Sequence, residues 1–481
     1  MNTSPKTGAP PVTPGGYREL WSIAFPLVLS TAGFTINQFV DRIFLGQHSM
    51  TEIQAALPAG IMCFTLISGF MALCGYANTF VAQYHGANDP RSCSRVTAQA
   101  VFLALLSWPV MLALIPFGEW VLRYSNHPPD ILQAELAYFR PLMWGSVAVP
   151  LGAAISSFYT GRGDTVTNML AMLAGNALNI ALDYAWIFGH WGFPEWGIAG
   201  AAWATVIGGL LSPLLLFLHY FGMPRLRRVY ATWTSFRPDK ALTLRFLRFG
   251  IPSAFHFLLD IAGFTFFVLL LGRLGGVELA ASNIAFSINH LSFMPLVGLG
   301  IAAATLVGQY QGQGDSHTAA KAGWTAMKAG WIYAFVIGAL FVIFPRPLFL
   351  LFAEKGNPAS IDPLMPLATR LMVGVALWGL LDASNIIFAG ALKGAGDTRF
   401  VMIWSMIACW GFWITGELVI LLYLKAGLMA AWVWLTLYVS LLGLGFLWRF
   451  RQGRWKSIQV IDRELPPLPG HASSDALGIV E

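Results

Sequence analysis

The sequence predicts an all-α membrane protein with twelve transmembrane helices in two parallel six-helix repeats. Three observations support this prediction. Apolar residues make up 56% of the 481 residues, apolar runs of spanning length recur along the chain, and the second half of the sequence repeats the first.

The composition excludes a water-soluble protein. Only 11% of the residues are charged, whereas soluble domains carry roughly 25%. A helix that spans a bilayer needs about 20 mostly apolar residues, so twelve spans take up roughly half of the chain. The remaining connections are too short to hold a large soluble domain.

The motifs that are absent from the sequence argue against an enzyme. There is no GxxxxGK motif, which an ATP-driven pump would use to bind phosphate, and no HExxH metal motif or set of paired reactive groups. The four cysteines lack CxxC and metal-ligand spacing, so we expect them to be packing residues. We therefore expect no cofactor and no structural metal ion.

Apolar runs bounded by Gly, Pro and charged residues define the twelve predicted spans. In the N-lobe, predicted for 19–222, they are 20–45, 55–82, 96–118, 137–160, 167–189 and 198–221. In the C-lobe, predicted for 246–450, they are 246–272, 280–308, 322–345, 367–392, 400–424 and 427–449. A disordered tail without the apolar centre of a signal peptide is predicted for 1–18, a basic linker for 223–245 and a C-terminal tail for 451–481.

The distribution of basic residues predicts the orientation. With an even number of spans both termini share one side, and that side holds 21 of the 29 Lys and Arg residues. The positive-inside rule makes it the cytoplasm, so we expect a multi-pass inner-membrane protein with both termini cytoplasmic. Topology and contact with anionic membrane lipids then explain the net charge of +6, and no nucleic-acid partner is expected.

The two halves share one register. A shift of 226 residues places Pro26 on Pro252 and Gln83 on Gln309, and it also aligns Thr79, Tyr84, Gly86 and Asp89 with Thr305, Tyr310, Gly312 and Asp315. Because six spans separate equivalent positions, both copies enter the membrane from the same side. Transporters use such parallel repeats to rock around a site between the lobes.

Five acidic residues fall inside predicted spans: Asp41, Asp183, Asp260, Asp382 and Glu417. A charged side chain at the centre of a span costs about 3 kcal/mol on insertion scales, so it usually faces a cavity and marks an ion or substrate path.

In the N-lobe, three spans bring polar groups to one depth. Asp41 and Asp183 lie near the outer ends of outward-running spans, and Thr205 lies early in a span that enters from outside. The side chains that share their helical faces are Asn37, Asn176 and Asn179. Such an oxygen-rich cluster suits a small hard cation, and a desolvated aspartate can also carry a proton. The alternative is that these residues only bond helices together.

In the C-lobe, Asp260 and Asp382 lie near the bilayer centre, with His256 one turn before Asp260 and Asn385 nearly one turn after Asp382. We interpret these side chains as candidates for cation coupling or for neutralising a cationic substrate, and His256 as a proton relay or a merely hydrogen-bonded residue. Glu417 lies near the outer end of its span, where it could instead reach water.

Several motifs resemble those of the multidrug and toxic compound extrusion family over nearly the whole of 15–450. They are AFPLVLS, VDRIFLG, VAQYHGAND, LNIALDYAWIFG, GIAGAAWAT, GIPSAFHFLLD, LVGQYQGQGD and LKGAGDT. The resemblance implies a V-shaped pair of six-helix lobes that exports organic, often cationic, compounds or drugs against inward Na⁺ or H⁺ flow. The implied partners are small-molecule substrates, and we expect a monomer.

The resemblance also implies a cation-coupling site at the positions of Asp41, Asn179, Asp183 and Thr205, with Na⁺ at the first three if Na⁺ is the coupling ion. Family members often carry acids at the positions of Asp260 and Asp382. The sequence departs from the family pattern at Arg42, a basic residue beside Asp41. The alternative function is a flippase for lipid-linked precursors, although such a protein should line its cavity with Arg and Lys rather than acids; a channel is a further alternative.

Overall fold

A computed structural model of the chain describes residues 13–125, 127–271, 276–351, 362 and 364–461. In these ranges eleven helices are long and apolar enough to cross a membrane, and one bent pair of helices supplies a twelfth span. The predicted all-α fold of twelve spans is confirmed.

The spans of the N-lobe are TM1 (Tyr17–His48), TM2 (Met50–Gly86), TM3 (Pro90–Ala113), TM4 (Pro129–Trp144 with Ala148–Gly161), TM5 (Thr165–Ile187) and TM6 (Gly197–Gly222). Those of the C-lobe are TM7 (Lys240–Leu271), TM8 (Gly276–Gln313), TM9 (Ser316–Ile343), TM10 (Met365–Gly394), TM11 (Thr398–Tyr423) and TM12 (Leu428–Gln452). Short helices form at Ile115–Tyr124, Pro224–Tyr230 and Pro345–Leu350.

TM4 differs from the prediction of one straight span at 137–160. Its two helices meet at an angle of 42° across a break of a few residues. Pro150 lacks the N–H that would bond to the Ser146 carbonyl across this break. At Gly145 the missing Cβ leaves room for the Val206 side chain of TM6. The bend therefore lets TM4 follow the surface of TM6.

TM11 is also irregular. Two π-helical stretches, Ile407–Ile414 and Val419–Tyr423, flank a single α-helical turn. Wide turns of this kind often occur at functional sites, and no pattern in the sequence predicted them.

Residues 13–18 of the predicted disordered tail are packed against the C-lobe, which corrects the predicted boundary; residues 1–12 lie outside the described residues. The Gly15 N–H donates to Glu19 Oε2 at 2.7 Å, and Tyr310 Oη of TM8 donates to the same oxygen at 2.7 Å. Thr325 Oγ1 of TM9 donates to the Gly15 carbonyl at 2.8 Å. These bonds satisfy backbone groups that a disordered tail would leave to water.

The C-terminal segment packs as far as Ile461, and the rest of the predicted tail, 462–481, lies outside the described residues. The Val460 side chain is fully buried, and its carbonyl accepts a hydrogen bond from Arg245 Nε at 2.5 Å. Gln311 Nε2 of TM8 donates to the Lys456 carbonyl at 2.7 Å. The segment is thus fastened across the ends of TM7 and TM8.

The linker between the lobes is shorter than predicted, because TM7 begins at Lys240 rather than 246. Asp239 caps this helix by accepting the Leu242 N–H at 3.1 Å, and it pairs with Arg95 Nη2 of TM3 at 2.6 Å. The buried Gln99 of TM3 accepts the Asp239 N–H at 2.9 Å. Burial alone would raise the pKa of Asp239, but the Leu242 N–H and then Arg95 outweigh it and lower the pKa.

Replacing Asp239 with alanine should lower the apparent melting temperature of the detergent-solubilised protein, because the loss of an N-cap costs about 0.5–2 kcal/mol. Asp239→Asn keeps the cap and removes only the charge, so its effect should be smaller. Since the folded-state pKa is lowered, the carboxylate stabilises the wild type above its ordinary pKa and the effect fades as pH falls through the lowered pKa. Equal effects of the two substitutions at neutral pH would contradict the capping role.

At one end of the bundle, which we call the basic end because it holds the N-terminus and most Lys and Arg residues, the lobes are joined symmetrically. Gln83 Nε2 of TM2 donates to the Gly394 carbonyl of TM10 at 2.9 Å. In the other half, Gln309 Nε2 of TM8 donates to the Gly161 carbonyl of TM4 at 2.8 Å. The two glutamines are the repeat-related pair of the sequence, so the repeat places one bond from each lobe across the interface.

Close backbone contact accompanies these two bonds. A Cβ added to Gly86 would collide with the Gln309 carbonyl oxygen, and one added to Gly312 would collide with that of Gln83. Glycine at both positions therefore lets the ends of TM2 and TM8 cross directly, and the lobes are closed against each other at the basic end.

At the opposite end, His48 connects the turn after TM1 to the segment before TM6. Its Nδ1 lies 2.6 Å from Glu52 Oε2, and its Nε2 lies 2.8 Å from Glu195 Oε1. This bridge fixes the outer ends of the N-lobe helices relative to one another.

Candidate functional site

The N-lobe cluster is built where TM1, TM5 and TM6 pack together. Glycines bring TM5 and TM6 close, because a Cβ on Gly175 would lie 2.7 Å from the Gly208 carbonyl oxygen and one on Gly208 would lie 2.6 Å from the Asn179 Cβ. Small residues at such contacts are typical of helix pairs in membranes. The close approach sets Asn179 and Asp183 beside TM6.

Four of the predicted side chains meet inside this packing. Asn37 Nδ2 of TM1 donates to Asn179 Oδ1 of TM5. One turn further out, the carboxyl groups of Asp41 and Asp183 face each other within hydrogen-bonding reach. Asp41 is only 8% exposed and Asp183 is fully buried. Two facing carboxylates repel each other in a medium of low dielectric constant, so the pair favours a proton or a cation between its oxygens.

Several buried oxygen atoms of this cluster have no hydrogen-bond partner. They are Asp41 Oδ1, Asp183 Oδ1, Asp183 Oδ2, Asn37 Oδ1 and Thr205 Oγ1. An unsatisfied buried polar group costs about 1–3 kcal/mol, and carboxylate, amide and hydroxyl oxygens are ligands for small hard cations. In the described residues no group of three or more His, Cys, Asp and Glu side chains is arranged to hold a metal ion. The donor set therefore fits a proton or Na⁺ better than a transition metal.

Two predicted neighbours take different positions. Asn176 lies one turn toward the basic end, where a Cβ on Gly33 of TM1 would come within 3.4 Å of its Nδ2. Arg42 is exposed, within electrostatic range of Asp41 and of His290 on TM8. Asn176 thus packs against TM1 below the acid pair, and Arg42 points away from it.

Tyr138 of TM4 is a member of the cluster that sequence reasoning missed. Its hydroxyl faces Thr205 and lies within electrostatic range of both Asp41 and Asp183. Its ring packs over Gly60 of TM2, where an added Cβ would lie 3.8 Å away. A tyrosine in an apolar run carries no signal of its own, and its place depends on the bend in TM4.

In the C-lobe, Asp260 and Asp382 are within electrostatic range of each other. His256 Nε2 lies 3.4 Å from Asp260 Oδ2, and the side chain of Asp260 is 36% exposed although it lies deep in the bundle. Asn385 Nδ2 donates to Asp382 Oδ1 at 3.0 Å. Asp260 therefore lines an open cavity, whereas Asp382 is held more tightly by its own helix.

Asp382 also borders a small cavity within the C-lobe. Its other polar lining residues include Asn289, Ser292 and Tyr333. The Tyr333 hydroxyl donates to the Ser292 carbonyl at 3.1 Å. This cavity extends the polar region from TM10 toward TM8 and TM9.

Lys393 is the second residue that sequence reasoning missed, because it was assigned to the basic side by depth alone. It lies in the last turn of TM10, and its ammonium group is within electrostatic range of Asp260 and His256. The position of Lys393 at a helix end was the available signal, since a long side chain there can reach back along its own helix.

Glu417 does not reach water, so that interpretation was wrong. It is fully buried, and its Oε1 accepts a hydrogen bond from Trp413 Nε1 at 3.2 Å. Trp413 stacks on Tyr438 of TM12 at 4.5 Å between ring centroids. The packing of TM11 on TM12 encloses the carboxylate, and the groups acting on it do not include Asp260 or Asp382.

Comparisons with known proteins agree with this architecture. The sequence is 28% identical to the probable multidrug resistance protein NorM of Thermotoga maritima over 477 residues, covering 96% of this chain and 97% of that protein. It is 29% identical to the multidrug resistance protein PmpM of Pseudomonas aeruginosa, with 82% of each chain covered.

Solved structures confirm the fold of two six-helix lobes forming a V-shaped pair. A MATE protein in complex with MaL6 matches with a TM-score of 0.82 and 21% identity, covering 93% of this chain and 98% of that one. An outward-facing multidrug resistance MATE family transporter matches with a TM-score of 0.81 and 20% identity, over the same shares. The model of the MatE family matches residues 26–185 and 252–415, one segment in each lobe. The chain therefore belongs to the MatE family, the multidrug and toxic compound extrusion (MATE) transporters, which are membrane transporters and not enzymes.

Proposed function

We propose that this protein exports small organic compounds, many of them cationic, in exchange for Na⁺ or H⁺ moving inward. The observation that carries the proposal is the buried pair of carboxyl groups, Asp41 and Asp183, whose oxygens lack hydrogen-bond partners. The relatives named as multidrug resistance proteins support the substrate class.

The N-lobe cluster is the proposed coupling site. A cation taken up between Asp41 and Asp183 replaces their mutual repulsion with attraction and draws TM1 toward TM5. TM1 also contacts the C-lobe, because Thr31 Oγ1 donates to the Met294 carbonyl of TM8 at 3.2 Å. Cation binding therefore favours one arrangement of the two lobes over the other, which is the requirement for coupled transport.

The C-lobe acids are the proposed substrate site. Asp260 lines the open cavity and Asp382 lies within its electrostatic range, so the pair attracts organic cations. Proton transfer through His256 is compatible with its 3.4 Å contact to Asp260.

The basic end is the proposed cytoplasmic end, and the protein is proposed to lie in the inner membrane as a monomer. The clustering of Lys and Arg at that end supports this orientation. The closure of the lobes there then places the closed side of the transporter toward the cytoplasm.

Expression of the protein in an efflux-deficient bacterial strain tests the export proposal. Cells that express the wild type should accumulate less of a fluorescent organic cation than cells with the empty vector. Collapse of the ion gradients with ionophores should remove the difference. Equal accumulation in both strains would contradict the proposal.

A flippase for lipid-linked precursors is the second candidate, and Lys393 between the lobes favours it because an anionic head group needs a cationic partner. Reconstituted vesicles separate the two functions. Movement of a fluorescent lipid pyrophosphate without a gradient, together with no transport of organic cations, would favour the flippase.

Replacing Tyr138 with phenylalanine should weaken the apparent affinity for the coupling ion and leave the fold intact. A hydrogen bond contributes about 0.5–1.5 kcal/mol, which corresponds to roughly 2- to 13-fold in affinity. The dependence of transport rate on Na⁺ concentration and on pH measures the effect. An unchanged dependence on both ions would remove Tyr138 from the cluster.

A further inference from the structure

The backbone of Lys393 is fixed at the interface between the lobes. Its carbonyl oxygen accepts hydrogen bonds from Tyr76 Oη at 3.2 Å and from Thr79 Oγ1 at 3.3 Å, both on TM2 of the N-lobe. The next carbonyl, that of Gly394, accepts the bond from Gln83. These contacts involve only the main chain of TM10, so they do not require a lysine side chain.

The side chain of Lys393 instead acts on the C-lobe acids. Its ammonium group is within electrostatic range of Asp260, whose direct contact is with His256 at 3.4 Å. Asp382 is also within electrostatic range of Asp260. A lysine at the end of a flexible stem can approach or leave these acids without any movement of the helix.

The charges of this group limit what it can bind. With Asp260 and Asp382 ionised and His256 neutral, two negative charges and the one positive charge of Lys393 leave a single net negative charge. One monovalent cation balances that charge, whereas a divalent organic cation leaves an excess positive charge inside the protein. Uncompensated charge in a site of low dielectric constant is strongly unfavourable.

We propose that Lys393 is a specificity-determining residue, an internal cation that sets the C-lobe site to take monovalent rather than divalent organic cations. The inference rests on the proposed export function and adds a substrate class to it. An arriving cation displaces the ammonium group of Lys393 from Asp260, and departure of the substrate lets it return.

The test compares three proteins in proteoliposomes, the wild type, Lys393→Met and Lys393→Arg, with two probes, tetraphenylphosphonium with one charge and methyl viologen with two. The measured quantity is the ratio of kcat/KM for the divalent probe to that for the monovalent probe. Lys393→Met should raise this ratio roughly tenfold or more, because it removes one unit charge near the bound substrate. Lys393→Arg keeps the charge and should leave the ratio near the wild-type value.

A chemical rescue provides a second measurement. Lys393→Cys should show the raised ratio, and alkylation with 2-bromoethylamine, which rebuilds a positively charged side chain of similar length, should restore it. The native cysteines Cys63, Cys74, Cys93 and Cys409 are all buried, and the wild type treated with the same reagent controls for their modification. Lys393→Gln replaces Lys393→Met if the latter does not fold.

The outcomes separate the two proposals. Transport of the monovalent probe with the same ratio in the wild type, Lys393→Met and rescued Lys393→Cys would overturn the role of Lys393 and leave the export function standing. Failure of the wild type to transport either probe would overturn the export function, and the inference with it.

Discussion

Asp41→Asn should abolish ion-coupled export while the protein still folds and inserts. Asparagine has nearly the same shape as aspartate but no negative charge, so the pair with Asp183 loses its attraction for a cation. Truncating one partner of a buried charge pair costs about 2–5 kcal/mol, which corresponds to a roughly 30-fold or greater loss of affinity. Gradient-driven efflux of a fluorescent cation from cells or vesicles measures the loss.

The matched control is Glu119→Gln, which removes a carboxylate from the same lobe at the outer surface. Glu119 pairs with Arg140 at 2.7 Å, and exposed ion pairs contribute about 0–1 kcal/mol. This variant should export at the wild-type rate. Unchanged efflux by Asp41→Asn, at equal expression in the membrane, would remove Asp41 from the mechanism.

Gly86→Ala should open the lobes at the basic end. The added Cβ meets the backbone of Gln309 rather than a flexible side chain, so the clash is relieved only if the ends of TM2 and TM8 move apart. Overpacking costs about 1–3 kcal/mol, and such an energy shifts a two-state equilibrium roughly 5- to 150-fold. A cysteine introduced at Thr79, which is buried between the lobes, should then react faster with an impermeant maleimide added from the basic side.

Gly312→Ala should have the same effect, because Gly312 occupies the repeat-related position against Gln83. Gly69→Ala in TM2 is the control, since its added Cβ would meet no atom within 4 Å. Equal labelling of Thr79→Cys in all three backgrounds would show that the glycine crossing does not hold the lobes together.

The spans could be predicted from the sequence because the thickness of the bilayer sets the length of each apolar run. TM6, predicted at 198–221, is observed at Gly197–Gly222. The errors are at the basic end, where helices extend beyond the apolar run. TM8 was predicted at 280–308 but continues to Gln313, since polar residues such as Gln309 bond to the opposite lobe.

The depth of each polar residue was predictable, but its direction around the helix was not. Counting along TM1 and TM5 placed Asp41 and Asp183 at one level, and the structure brings them face to face. Counting could not reveal that Tyr138 reaches this level through the bend of TM4, or that Lys393 reaches back from the end of TM10. Nor could it show that Glu417 is enclosed by Trp413 and TM12.

The central claim is that cation uptake by the Asp41–Asp183 pair drives export, and reconstituted vesicles with separately imposed Na⁺ and pH gradients test it most directly. At least one gradient should drive substrate movement by the wild type, and neither should do so for Asp183→Asn. Gradient-driven transport by Asp183→Asn at the wild-type rate would contradict the claim.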